Sequence, residues 1–160
     1  MLDSLDTTDR RILNILQEEG GISNVELSRR IGLAPPTTLE RVRKLRHQGF
    51  ITRTVTLVDP EKVGQSTLVF VHVSLTRHGA ERVTAFQNAV QGIAEVLECH
   101  HISGDSDFLL KVRAPDISRY EAFLLDEFSS LPHVGRVHTS FVLSTVKSET
   151  RIPIPEATDG

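Results

Sequence analysis

The apolar positions of this chain divide it into two parts. Up to about residue 50 they recur at helical spacing. From residue 51 most of them alternate or run together, as in strands. The first part predicts three short helices. One runs from about Thr7 to Glu19, capped by Asp6, with Ile12, Leu13 and Leu16 inward. A second follows Ser23, where Glu26 three residues on completes a capping box and Ile22 packs on Leu27 as a hydrophobic staple. It ends at Gly32, because a residue without Cβ takes the left-handed conformation that closes a helix. The third opens on Pro35 and Pro36, which suit a first turn whose N–H groups lack intrahelical partners. Leu39, Val42 and Leu45 recur on one of its faces.

The second part reads differently. Ile51 to Val58 alternates as a strand, and Asp59-Pro60 begins a turn that runs through Gly64. A strand from Ser66 to Thr76, a helix from Ala80 to Val90 and a strand from Ala94 to Ser103 follow. Gly104-Asp105 then turns the chain into a strand from Ser106 to Ala114. Asp116 caps a helix to Leu131, and Val134 to Val146 forms the last strand. The order β-α-β-β-α-β is a ferredoxin-like plan. The expected class is therefore α+β, with an N-terminal helix-turn-helix (winged-helix-like) domain and a C-terminal ferredoxin-like domain. The expected boundaries are 1–52, a connecting strand and linker 53–65, the second domain 66–148, and a loose tail 149–160. Both helices of such a plan cover one face of the sheet. The strands still carry apolar residues of both parities, such as Leu68, Phe70, Val71 and Val73, which implies that a second subunit buries the open face.

Two short helices joined at a glycine turn, the second with a basic face, form a helix-turn-helix whose second helix fits a DNA major groove. Charge supports this locally. The whole chain is net −3, which taken alone argues against DNA. Residues 29–53, however, hold seven basic side chains against one acidic, whereas everything after residue 53 holds nine basic and fourteen acidic. A basic end on an acidic remainder suits a protein that meets phosphates at that end. The expected DNA contacts are Arg29, Arg30, Pro36, Thr37, Thr38, Glu40, Arg41, Arg43, Lys44 and Arg46. Arg41 and Lys44, one turn apart, meet bases or phosphates, and Thr37 and Thr38 sit near the groove. Arg29, Arg30, Arg43 and Arg46 meet the backbone.

Composition narrows the remainder. At 160 residues, 39% hydrophobic and 24% charged, the chain is an ordinary soluble one of one or two small domains. No apolar run reaches bilayer length, and the N-terminus has no signal-peptide pattern. The single cysteine, Cys99, excludes an internal disulfide and points to the cytoplasm. With no Trp and one Tyr, single-strand binding through stacked aromatics is disfavoured. Cys99-His100-His101 invites a metal reading, but adjacent strand residues face opposite sides and no further ligands cluster there. No nucleophile motif, phosphate-binding glycine loop or paired catalytic carboxylates appear, so no catalytic, metal or cofactor site is expected.

The chain resembles the leucine-responsive regulatory protein (Lrp/AsnC, or feast/famine) family from about Leu5 to Lys147. The matches begin with Leu5-Asp6-x-x-Asp9-Arg10-x-Ile12-Leu13, Ile22 to Ser28, Gly32-Leu33-x-Pro35, Glu40-Arg41-Val42-x-x-Leu45 and Gln48-Gly49-Phe50-Ile51. They continue with Glu98-Cys99-His100, Ser103-Gly104-Asp105-x-Asp107-Phe108-Leu109-Leu110-Lys111 and Leu131-Pro132-x-Val134. The resemblance implies a transcription regulator that binds double-stranded DNA as a homodimer, assembles to an octamer, and stays in the cytoplasm on the nucleoid. It also implies an amino-acid effector, such as leucine or methionine, held by the turn Gly104, Asp105, Ser106 and Asp107, with Thr139 and Ser140 completing the site from a neighbouring chain. Such a turn can hold a carboxylate on backbone N–H groups and an ammonium on an Asp. Without the resemblance, Gly-Asp-Ser-Asp reads as a hairpin turn. Ala34 departs from the family, which often has Ser there. Two other classes compete. Sirohaem decarboxylases resemble this family and would use His100 or His101, but the basic residues at 41–46 count against them. The other is a sensor or assembly module that no longer binds DNA.

Overall fold

The computed structural model describes residues 5–76 and 79–155. The helices are α1 (Thr7–Glu18), α2 (Asn24–Ile31), α3 (Pro35–His47), α4 (Ala80–Val90) and α5 (Ile117–Asp126). The strands are β1 (Thr67–Leu75), β2 (Val96–His101), β3 (Phe108–Ala114) and β4 (Val134–Phe141). The chain divides into two compact units, residues 1–57 with 147–160, and residues 58–146.

In the first unit α1, α2 and α3 share a core of Leu5, Ile12, Leu13, Leu27, Ile31 and Leu45. Asp6 caps α1 by accepting from the Asp9 N–H at 2.7 Å, and Ser23 caps α2 by accepting from the Glu26 N–H. Only half of the expected capping box forms, because the Glu26 carboxylate turns to Arg29 and Arg30 instead of back to the cap. Gly32 ends α2 at φ 75°. Ala34 opens α3 with no side-chain cap bond. Asn24 instead ties the two helices together, donating from its side-chain amide to the Pro35 carbonyl at 2.8 Å.

Two expectations change in this unit. Among the described residues the segment 51–58 pairs with no strand, and Val55, Leu57 and Val58 remain exposed. A ladder needs a partner strand, and among the described residues none lies beside it. The tail is not loose where it is described. The Gln17 side chain donates to the Ile152 carbonyl (3.1 Å) and accepts from its N–H (2.7 Å). Arg151 pairs with Glu18, Arg10 donates to the Pro155 carbonyl, and Ile154 packs on the helical core.

The second unit is the expected ferredoxin-like fold. Its four antiparallel strands run in the order β2-β3-β1-β4. The strict alternation of burial along β1 and β3 sends Val69, Val71 and Val73 inward beside Val112, Leu110 and Phe108. Phe86 and Val90 of α4 and Tyr120 and Phe123 of α5 cover that face. Leu68, Phe70 and His72 lie on the opposite face with Leu109 and His138. Leu110 is fully buried under the helices and takes no part in the open face.

Candidate nucleic-acid interface and effector corner

The basic residues of the first unit divide into paired and unpaired sets. Arg29 bonds Glu26 in a two-point grip (2.9 and 2.7 Å), and Arg30 reaches both Glu26 and Glu19. These hydrogen bonds, Arg29 first and then Arg30, draw the Glu26 carboxyl down to about 2. Arg29 and Arg30 therefore face outward already neutralised, which weakens their expected role as phosphate contacts.

Arg41 is drawn inward. Its Nη1 lies 2.6 Å from Asp6 Oδ2 and 2.8 Å from Asp9 Oδ1, and Asp9 is buried. Partial burial would raise the Asp6 carboxyl, but the Asp9 N–H and the Arg41 guanidinium outweigh it and hold it below its ordinary value. Arg41 thus clamps α3 to the start of α1, an employment that competes with its expected contact to bases or phosphates. The expectation for Thr38 is corrected. This residue is fully buried and donates its hydroxyl to the Ala34 carbonyl, while Leu39, expected in the core, is 38% exposed. Helix phase explains the pair. With Leu45 and Thr38 inward, steps of about 100° per residue put Leu39 on the flank.

Pro36, Thr37, Glu40, Arg43, Lys44 and Arg46 are all exposed on α3, and so is His47. Arg43, Lys44 and Arg46 form no ion pair among the described residues, so their charges stay unspent on this helix.

The corner at 104–107 is tied to the strands beside it. Gly104 sits at φ 115°, where a side chain is strained. The Asp105 carbonyl accepts from Ser74 Oγ and Arg136 Nη2, each at 3.2 Å. Asp107 anchors the turn three ways: its N–H donates to the Val73 carbonyl, its carbonyl accepts from the Ile102 N–H, and its Oδ2 accepts from the Leu75 N–H at 2.7 Å. Asp107 is thus engaged by the fold, which leaves the exposed Asp105 as the carboxylate presented outward. Ser106 is half-buried between them. Ser74 and Arg136 were not expected here, since only strand register brings them to the turn.

Thr139 and Ser140 diverge. Ser140 pairs with Phe70 on the open face. Thr139 lies on the helix-covered face, 2.7 Å from the Tyr120 hydroxyl, and lines a hollow of about 450 Å³ with Leu124, Phe128 and Val137. The two therefore do not face one site within the chain. Cys99 and His101 share the covered face, His101 stacking on Phe108, and burial pushes the Cys99 thiol up. His100 lies opposite with Glu98, which Lys111 first and His100 second hold below the usual carboxylate range. Among the described residues no three His, Cys, Asp or Glu cluster as metal ligands, and no helix is long and apolar enough to cross a membrane.

Comparison with known proteins matches both units. Residues 5–52 fit the model of a winged helix-turn-helix DNA-binding domain, and residues 68–152 fit that of the Lrp/AsnC ligand binding domain. The leucine-responsive regulatory proteins of Klebsiella pneumoniae and Escherichia coli K12 are each 47% identical over 150 residues, spanning 94% of this chain and 92% of theirs. A transcriptional regulator from Neisseria meningitidis, solved in complex with L-Met, superposes with TM-score 0.89 at 35% identity, covering 94% of this chain and 97% of that one. An AsnC family regulator from Agrobacterium tumefaciens gives 0.88 at 34% identity over 94% and 97%.

Proposed function

Because this chain belongs to the Lrp/AsnC family of transcription regulators, we propose that it reads DNA through the exposed face of α3 and answers to an apolar amino acid, leucine or methionine first, at the 104–107 corner. The family is one of regulators and not of enzymes. The observation that carries the DNA reading is the division of charge: Arg43, Lys44 and Arg46 stay exposed and unpaired on the recognition helix, while Arg29, Arg30 and Arg41 are spent on carboxylates.

At the corner, Arg136 and the turn's backbone suit a carboxylate, and the outward Asp105 suits an ammonium. The methionine complex of the Neisseria relative supports an amino-acid ligand. The open sheet face, with Leu68, Phe70 and Leu109, supports a homodimer that buries it, and an octamer in which corners of adjacent dimers meet. The effector then shifts assembly or DNA affinity by its differential affinity for the two states. A role on chromosomal DNA fits a protein of the cytoplasm that sits on the nucleoid.

A thermal-shift screen of the twenty amino acids, paired with anisotropy on labelled genomic duplexes, tests both halves. Leucine or methionine raises the melting temperature and changes the DNA titration. The DNA half fails if no duplex binds, and the effector half fails if no amino acid shifts the melt.

A further inference from the structure

The outward face of α3 carries one acid. With Thr38 and Leu45 fully buried, steps of about 100° per residue centre the opposite side on Pro36, Glu40, Arg43 and His47. Glu40 has no structural employment there. It lies beyond the first turn, where a carboxylate would favour the helix dipole. It is exposed, and it forms no ion pair among the described residues although Arg43 and Lys44 stand three and four positions on. Asp6, Asp9, Glu19 and Glu26, on the neighbouring helices or capping them, each hold an arginine. Among the described residues Glu40 alone of the acids near α3 is left outward.

On a helix that approaches phosphates, an idle carboxylate is a liability, because like charges repel across the low-dielectric gap. It becomes an asset only where it meets a hydrogen-bond donor on a base edge. The major groove offers two such donors, cytosine N4–H and adenine N6–H. Beside the adenine donor lies N7, an acceptor that repels a second carboxylate oxygen. Cytosine presents its amino group without such a neighbour on its own ring.

We propose that Glu40 is a base-reading residue that selects cytosine, accepting the N4–H with a side-chain oxygen, while Arg43 and Lys44 on either side of it hold the phosphates. This rests on the DNA reading of α3 above and adds the chemistry of its specificity. Glu40 then works by exclusion as well as attraction. Opposite guanine O6 or thymine O4 its oxygens face another acceptor, and binding is rejected.

The test is selection of full-length protein on a randomised duplex pool, comparing wild type, Glu40→Ala and Glu40→Gln, with melting curves confirming that the exposed substitutions leave the fold intact. Wild type shows a cytosine preference at one position of each half-site. Glu40→Ala loses that preference by about tenfold, keeps the other positions, and binds mixed-sequence DNA no more weakly. Glu40→Gln moves the preference to adenine, since a carboxamide pairs with adenine N6 and N7. Unchanged base preferences in Glu40→Ala overturn the assignment. If wild type itself selects no sequence, the reading of α3 as a sequence-specific element fails, and Glu40 with it.

Discussion

Arg41 and Asp9, thirty-two residues apart, meet at 2.8 Å and fasten the recognition helix to the first helix. Asp9 is buried, so removing the guanidinium leaves a charged acceptor unpaired. Arg41→Ala is expected to destabilise the protein by about 1–3 kcal/mol in urea titrations. Acid should expose the same clamp. Asp6, beside Arg41, has its folded-state carboxyl below the ordinary value near 3.8. Its contribution is therefore complete above about pH 4 and is lost as pH falls through the lowered value. Below pH 4 wild type should lose stability more steeply than Arg41→Ala. Parallel pH profiles would contradict the clamp.

Arg43→Ala and Lys44→Ala should behave in the opposite way. Both side chains are exposed and without ion pairs among the described residues, so stability should hold within about 0.5 kcal/mol. DNA affinity should fall about equally across sequences. The slope of log K against log salt should drop by about one per substitution. Anisotropy titrations at several salt concentrations measure this, and an unaltered slope would remove these residues from the phosphate contacts.

At the effector corner the substitutions separate structure from binding. Asp107→Ala frees the Leu75 N–H and should cost about 1–3 kcal/mol of stability. Asp105→Asn should leave stability alone and weaken leucine or methionine in calorimetry. Gly104→Val strains a φ of 115° and should abolish the calorimetric signal while dimers persist. Wild-type affinity in both Asp105→Asn and Gly104→Val would move the site elsewhere.

Phe70 lies at the centre of the open face, opposite Lys111 on one side and Ser140 on the other. A charge there would face a second sheet. Phe70→Asp should reduce the full chain to monomers in light scattering at micromolar concentration, with the circular-dichroism spectrum retained. An undiminished mass would exclude this face as the interface.

The tail carries the last prediction. Ile154 is half-buried against the helical core, and Gln17 brackets Ile152 from both sides. Ile154→Asp should lower the stability of the N-terminal unit by about 1–2 kcal/mol, read as earlier loss of helical signal in urea. A midpoint equal to wild type would mean the tail merely lies on that surface.

Elements were legible in the sequence where their cause is local. Ser23, Gly32 and Pro35 mark helix ends through bonds and dihedrals that span a few residues, and the α2 and α3 boundaries follow. Ala80–Val90 was read to the residue from its apolar spacing. The β-α-β-β-α-β order followed from alternation, because a strand's period is a property of its own backbone. The overlong reading of β4, to Val146 instead of Phe141, shows the limit: alternation in the sequence continues past the last pair of the β1 ladder, Val69 with Phe141.

What the sequence alone determined was the five helices and the four strands of the sheet, in order, with one strand too many at 51–58, and the basic helix-turn-helix with its family. The tertiary structure alone decided which side chains remain available. Thr38 and Leu39 exchange places by one residue of helix phase, and Arg41 is taken by carboxylates thirty-two and thirty-five positions away. Asp107 is spent on a strand end that register brings beside it, and Thr139 turns under α5 while Ser140 does not. The physical reason is range. Backbone propensity and periodicity act over one or two turns, whereas an ion pair or a hydrogen bond is settled by whichever partner the fold brings within about 3 Å.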